Sequence, residues 1–401
     1  MNLSDTVVPL QESVLAAVRH VLPEKPFIPL HEPEFAGNEW NYVKECIDTG
    51  WVSSVGKFVD EFERRLAEFT GAAHAIVTVN GTAALHMALL LAGVRTGDEV
   101  IIPALSFVAT ANAVVHAGGV PHFVDSEMTT LGMDPVALRS HLERVAERRD
   151  GGTYNRLTGR RIAALVPMHV FGHACDLDGL LALSHDFGIP LVEDAAESLG
   201  SDYHGRHTGN AGVCAALSFN GNKIVTTGGG GAILTNDPDL ARRAKHLTTT
   251  AKRPHAWEFH HDEVAWNYRM PNLNAALGCA QLERLPDMLE RKQELARRYR
   301  ESFASIKGVR FLDEPAGCKS NFWLNAFLLD EPDFAQRDSL LAALNGAGFM
   351  ARPTWVLLNK LPMYTQCPRS PLPNGERIEA SLINIPSSPA LVAGAGNAAH
   401  G

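Results

Sequence analysis

Hydrophobic and polar positions change their period along this chain. Val7, Leu10, Val14, Leu15, Val18 and Leu22 recur at the spacing of one helix face, behind a possible cap at Ser4 or Asp5, and Pro23, Pro26 and Pro29 close the segment. Two further helices are predicted over 39–49 and 59–69, the second stopped by Thr70-Gly71. From residue 75 onward, short β-rich runs alternate with helical stretches. Strands are predicted over 75–79, 99–102, 121–124, 162–168, 190–193, 215–219 and 231–234, and helices over 83–92, 107–117 and 178–187. Strands alternating with helices imply an α/β domain whose mainly parallel sheet is covered on both faces. Ligands of such sheets sit beyond the strand ends, so the turns that follow strands are where chemistry is sought. The polar segment 148–160, with Gly151-Gly152, reads as an exposed insertion.

After residue 285 the texture becomes a long charged helix ending near residue 305, apolar runs over 309–312 and 322–329, and a helix around 339–345. That pattern is a smaller α+β unit, and the tail from residue 390 has little to bury and is expected to be loose. The expected division is an N-terminal helical extension over 1–30, a large α/β domain over 31–285 and a small C-terminal α+β domain over 286–401.

The balance of residues narrows the class. A chain of 401 residues with 45% hydrophobic content, 20% charged content and a formal charge of −9 is neither disordered, nor collagen, nor a coiled coil. Its acidity argues against a nucleic-acid surface, and the dense basic stretch 291–300 carries Glu294 among its charges. An anionic ligand then requires a local positive potential. No run approaches the ~20 apolar residues of a membrane span, and the first residues lack a basic region followed by an apolar one, so a cytoplasmic location without membrane attachment is expected. Cysteines at 46, 175, 214, 279, 318 and 367 are scattered without a C-x-x-C pair and read as reduced and structural. His169, His173 and Cys175, and His255, His260 and His261, lack a second close ligand pair, so no metal is expected.

Three turns carry candidate chemistry. In Ser218-Phe219-Asn220-Gly221-Asn222-Lys223, a lysine lies between two apolar strands and ahead of four glycines at 228–231. It is either a solvated turn residue or a Schiff-base lysine whose amine is brought toward neutrality by desolvation or a nearby cation. Glu193-Asp194-Ala195-Ala196-Glu197 ends an apolar strand. Its acids either cap the next element or include a carboxylate that keeps a pyridine nitrogen protonated. Asn80-Gly81-Thr82-Ala83-Ala84-Leu85 is a strand, tight turn and helix start, with backbone N–H groups and a hydroxyl suited to phosphate. The same turn also serves as a plain helix cap, and the absence of G-x-G-x-x-G removes the main support for a dinucleotide fold.

Phosphate cradle, acid and lysine, in that order, are the needs of pyridoxal phosphate. Here the chain resembles the DegT/DnrJ/EryC1/StrS family of sugar aminotransferases. The likeness runs from about residue 31 to 386, through Gly50-Trp51-Val52-Ser53, Phe58-x-x-x-Phe62-Glu63, the three turns above, Gly97-Asp98-Glu99-Val100-Ile101-x-Pro103, Phe107-x-Ala109-Thr110-Ala111-Asn112 and Asn267-Tyr268-Arg269-Met270. The resemblance implies fold type I of the pyridoxal-phosphate enzymes, with a mostly parallel seven-stranded sheet. It implies Lys223 as Schiff-base lysine and proton carrier, Asp194 on the pyridinium nitrogen, and Phe107 against the ring. Gly81, Thr82 and Ser218 would bind the phosphate, joined by Asn267 of the partner subunit, which makes a homodimer the functional unit, and Ala83 would also touch the cofactor. Glu197 is placed at the cofactor without a firm role, because a carboxylate near the cofactor's phenolic oxygen disfavours its ionised form.

The Trp51-Val52-Ser53-Ser54 stretch and Arg352-Pro353-x-Trp355, Leu361-Pro362-Met363-Tyr364 and Ile385-Pro386-Ser387-Ser388 are similar to a LegC-like branch. That branch implies amino transfer from glutamate to a UDP-linked 4-keto-6-deoxy-N-acetylhexosamine, for surface glycans of the bacillosamine or legionaminic acid type. GDP- or dTDP-linked keto sugars, as in perosamine formation, are the alternative. His169, Arg269, Arg352 and Trp355 are candidate substrate contacts, with Lys252 and Arg253 as further cations for anionic substrates; Arg352 and Trp355 have domain packing as the other reading. Two rivals remain: a sugar dehydratase of the same fold, which Lys223 disfavours because histidine replaces the lysine there, and a protein that binds cofactor or nucleotide sugar without turnover.

Overall fold

A computed structural model describes residues 9–393. The first helix, α1 (Leu10–Val21), follows Pro9; the possible caps at Ser4 and Asp5 lie outside the described residues. It is followed by α2 (Glu39–Thr49) and α3 (Lys57–Thr70), each ended by a glycine in the left-handed region, Gly50 and Gly71.

Seven strands build the central sheet: β1 (His74–Thr78), β2 (Glu99–Pro103), β3 (Val120–Val124), β4 (Ile162–Leu165), β5 (Val192–Asp194), β6 (Cys214–Ser218) and β7 (Gly231–Thr235). The spatial order is β1-β7-β6-β5-β4-β2-β3, with parallel bridges Leu165–Leu191 and Met168–Asp194 joining β4 to β5. β7 alone runs antiparallel, pairing with both β1 and β6. Both faces are covered, as the near-continuous apolar strands require. One face holds α4 (Gly81–Leu91) and α5 (Val108–His116) around Met87, Leu89, Val100 and Ile233, and the other packs Phe62 and Leu66 of α3 against Leu217 and Leu234. The remaining helices of this part are α6 (Pro135–Val145), α7 (Leu177–Phe187) and α8 (Pro238–Thr248).

Two sequence expectations change and a third is refined. The segment read as an exposed insertion contains a hairpin of 146–149 with 152–155, anchored through Asn155, whose amide donates to buried Glu99 at 2.9 Å. The charged helix expected after residue 285 is the second half of α9 (Asn272–Phe303), which carries Pro286 inside it. Its first half, with Ala275, Ala276 and Cys279, packs in the large core, and its second half, with Leu295, Tyr299 and Phe303, packs in the smaller one. The boundary expected at 285/286 thus falls within one helix shared by both cores. The tail is not loose at its start: Leu391 and Val392 are buried in that smaller core.

The smaller lobe is an antiparallel sheet of β8 (Val309–Phe311), β9 (Asn325–Leu329), β10 (Arg352–Pro353) and β11 (Leu382–Ile385), in the order β8-β9-β11-β10, with α10 (Phe334–Gly346) and α11 (Pro373–Ser381). Val14 and Val18 of α1 belong to its core. Among the described residues the six cysteines are unpaired, and no helix is long and apolar enough to cross a membrane.

Candidate active site

The C-terminal ends of β1, β5 and β6 open on a cavity of about 350 Å³. Helix α4 supplies its floor. The stretch from Ala83 to Leu89 is buried all round, so α4 runs through the interior and brings its N-terminus to the cavity. Asn80 caps it: the side-chain oxygen accepts the Ala83 N–H at 2.8 Å and the carbonyl accepts that of Ala84 at 3.1 Å. The N–H groups of Gly81 and Thr82, at the first turn, have no intrahelical acceptor, and both residues line the cavity. Glycine is required here by close approach. A Cβ on Gly81 would lie 2.8 Å from the Ser218 Cβ, and one on Gly231 would lie 2.6 Å from the Asn80 carbonyl carbon. The glycine run therefore includes a packed position as well as a loop.

Asp194 closes β5 on the cavity wall. The Thr110 hydroxyl donates to its Oδ2 at 2.7 Å and the Ala196 N–H to its Oδ1 at 3.2 Å. Burial pushes its pKa up, against the pull of these donors. A protonated ring nitrogen would supply the missing positive partner. Behind it, Glu193 is fully buried and accepts the N–H groups of Gly209, Ala211 and Gly212 at 2.6–2.9 Å. Burial alone would raise its pKa, but His169 and these donors hold it below the usual range.

Lys223 follows the turn after β6. Its Nζ donates to Glu197 Oε1 at 3.0 Å and lies 3.7 Å from the centroid of the Trp323 ring. Glu197 Oε2 accepts the Phe171 N–H at 2.9 Å, and burial pushes the Glu197 carboxyl's pKa up. Trp323 reaches across from the smaller lobe, its indole N–H donating to the Asn222 carbonyl at 2.7 Å. The mouth is aromatic: half-exposed Phe107 faces Trp355 at 6.3 Å, and Trp355 packs on Phe171 at 5.1 Å.

Of the residues singled out from sequence, Gly81, Thr82, Phe107, Asp194, Glu197, Ser218, Lys223 and Trp355 line this one cavity. The others do not line it; for Asn267 that agrees with the expectation that it serves the partner subunit's site. The Ala83 N–H is consumed by the Asn80 cap. His169 is buried, its Nδ1 accepting the Cys175 N–H at 3.1 Å and its Nε2 facing Glu193 at 3.0 Å, so the ring supports the strand end and its backbone N–H donates to the Asp194 carbonyl at 3.1 Å. Arg269 is buried and spent on Glu63 at 2.6 Å and on the Val77 carbonyl at 3.2 Å. Arg352 is exposed and turned to the Ala351 carbonyl at 3.1 Å, and Lys252, Arg253 and Asn267 are exposed as well. Sequence reading missed Thr110 and Trp323. Thr110 stood within a quoted motif without a role, whereas Trp323 sat in the apolar run 322–329, which carried no candidate chemistry. Among the described lining residues Lys223 is the one cation.

Sheet, strand-end aspartate and the lysine of the turn after the next strand define a pyridoxal-phosphate-dependent transferase of fold type I, and a solved aminotransferase, TlmJ from Streptoalloteichus hindustanus, overlays with a TM-score of 0.82 at 29% identity, covering 91% of this chain and 94% of that one. The chain belongs to the DegT/DnrJ/EryC1/StrS aminotransferase family, whose model matches residues 33–395. It is 36% identical over 368 residues to a GDP-perosamine synthase of Caulobacter vibrioides, covering 91% of this chain and 94% of that protein. It is 38% identical over 339 residues to EpsN of Bacillus subtilis, assigned as a pyridoxal phosphate-dependent aminotransferase, covering 84% and 83%. The chain is thus a pyridoxal-phosphate-dependent aminotransferase of nucleotide sugars.

Proposed function

We propose that the chain transfers the amino group of glutamate to C4 of a nucleotide-linked 4-keto-6-deoxy sugar, with GDP as the first nucleotide to test. The observation that carries the reaction class is one cavity holding Lys223, Asp194 and the N-terminus of α4. The similarity to GDP-perosamine synthase supports the nucleotide. The UDP-linked N-acetylhexosamine rests on the residues around Trp355, which lines the mouth.

Gly81, Thr82 and Ser218 would hold the phosphate by N–H groups and a hydroxyl, and Asp194 would face the ring nitrogen, held in place by Thr110. Bound there, pyridoxal phosphate supplies a carbonyl that takes up amines and a ring that stores an electron pair. Lys223 Nζ carries a proton between the substrate carbon and its own lone pair, and Phe107 and Trp355 limit water at the mouth. Because Arg269 is spent on Glu63, the anionic ends of the substrates need cations beyond this wall. A homodimer supplies them in this reading, since the cations Lys252 and Arg253 lie exposed on the same segment as exposed Asn267.

The test is a panel of GDP-, UDP- and dTDP-linked 4-keto-6-deoxy sugars, incubated with glutamate and the cofactor-loaded chain and read by product mass. An amino product with the GDP sugar and matching 2-oxoglutarate is expected. Product from the UDP sugar alone overturns the nucleotide assignment, and no amino product from any of them overturns the reading.

A further inference from the structure

Lys223 presents a problem that the reaction class leaves unsolved. An amine attacks a carbonyl only when neutral, yet this one donates to a buried carboxylate at 3.0 Å and lies 3.7 Å from the centroid of the Trp323 ring, so its proton needs a place to go. Its side chain is 12% exposed and that of Glu197 2%, so a proton leaving Nζ has little direct access to water.

We infer that Glu197 takes the proton which Lys223 must shed, so that the pair stores one proton between Nζ and Oε1. The inference rests on the reading of Lys223 as the cofactor-holding lysine. In the step, one N–H bond of the ammonium breaks, an O–H bond forms on Glu197 Oε1, and the nitrogen keeps the electron pair it needs for attack. No charge leaves the cavity. The geometry suits the transfer: Oε2 is fixed by the Phe171 N–H at 2.9 Å, which leaves Oε1 aimed at Nζ. Phe171 itself holds a φ of 54° in a tight turn, a conformation uncommon for a non-glycine residue. Burial raises the proton affinity of Glu197, and the negative charge of Asp194 adds to that. The other titratable groups facing the pair are Asp194 at the end of β5, His169 behind it, and His31 from the segment before α2, with buried Lys292 of α9 beyond His31. His31 is kept neutral by burial and by Lys292 and Lys223, so it does not compete for the proton.

A distinctive pH dependence results. Both arrangements of the pair, ammonium with carboxylate and amine with carboxylic acid, hold one proton, so the neutral amine has a pH-independent population wherever the pair is singly protonated. With an amide at position 197, the proton must go to water, and the neutral amine falls about tenfold per pH unit below the lysine pKa.

The experiment uses the full chain, freed of cofactor and mixed with pyridoxal 5′-phosphate over roughly pH 5.5 to 9, a span of about 3.5 units. Loading is followed by visible absorbance and by quenching of tryptophan fluorescence. Borohydride reduction and peptide mass first establish attachment at Lys223; attachment elsewhere refutes the reading of Lys223, not the proton partner. With attachment shown, the wild-type rate is expected to level off toward low pH while Glu197→Gln keeps falling about tenfold per unit. Parallel profiles, or a Gln variant that loads as fast and without pH dependence, overturn the inference. Circular dichroism checks folding; if Glu197→Gln does not fold, Glu197→Asp replaces it, with a lowered plateau expected and an unchanged one overturning the inference.

Discussion

At the residue scale, the site depends on two side chains placed by different strands. Lys223→Ala removes the amine that carries both attachment and proton transfer, and transamination should fall by at least about 100-fold to 10,000-fold, the range for a lost proton carrier. Folding should survive, because Glu197 keeps the Phe171 N–H and can become neutral by protonation. Asp194→Ala removes the counter-charge for the ring and should cost about 100-fold or more in rate. Steady-state rates with far-ultraviolet circular dichroism check both, and full activity in either variant removes the role assigned to it. Lys223, Asp194 and Gly81 were legible as candidates because each sits directly after a predicted strand, and Ser218 because it ends the strand that leads into the lysine turn. Trp323 was not legible: it is 100 residues away from Lys223, on the other lobe, and only the docking of the two cores brings its ring to the amine.

At the scale of elements, periodicity located the seven sheet strands to within a few residues, because buried parallel strands are short apolar runs bounded by turns. Helices α6 and α8 escaped, although Asp134-Pro135 and Asp237-Pro238 are caps with proline at the first position and both aspartates accept two backbone N–H groups. The start of α9 was obscured by Pro286, which reads as a boundary yet lies inside the helix. That helix gives a sharp packing prediction. A Cβ on Gly278 would lie 2.5–2.8 Å from three atoms of the Phe62 ring, and Phe62 is itself fully buried against Phe219 at 5.2 Å. Helix propensity alone favours Gly278→Ala by about 1 kcal/mol, but overpacking costs about 1–3 kcal/mol. With the ring unable to retreat, the melting temperature should fall. Gly346→Ala in α10 meets nothing within 4 Å and should leave it unchanged or raise it. Equal shifts in the two variants would mean that α9 and α3 adjust without cost.

For the whole molecule, the burial that builds the two cores also sets the response to acid. His86, His141, His173 and His207 are pushed down to about 4 by burial, from 6.5, and His31 is lowered well below that ordinary value. Their environments explain the neutral form: His207 accepts the Gly200 N–H at 2.8 Å, and His173 packs edge-on to Phe322 without a polar partner. The sign is that of groups with depressed affinity in the native state. At these histidines the unfolded chain binds protons near pH 6.5 and the folded chain does not, so their contribution is full above 6.5 and is lost as pH falls toward 4. Each such histidine contributes a slope of up to about 1.4 kcal/mol per pH unit in that window. Buried His169 is the opposite case: burial would lower its pKa, but Cys175 and Glu193 raise it to about 10, so its own contribution is lost only as pH rises from 6.5 toward 10. Glu99 and Glu193, with pKa values held down in the fold despite burial, add to the loss at the acid end, whereas Asp194 and Glu197, raised by burial, oppose it. Denaturant unfolding from pH 7 to 4.5 should therefore show stability falling steeply below 6.5. His173→Leu, which keeps the volume and has no ring to protonate, should reduce the slope by one histidine's share, up to about 1.4 kcal/mol per unit. An unchanged slope in that variant would show that His173 accepts its proton without unfolding, and that the lobe interface around Phe322 opens more readily than its packing implies.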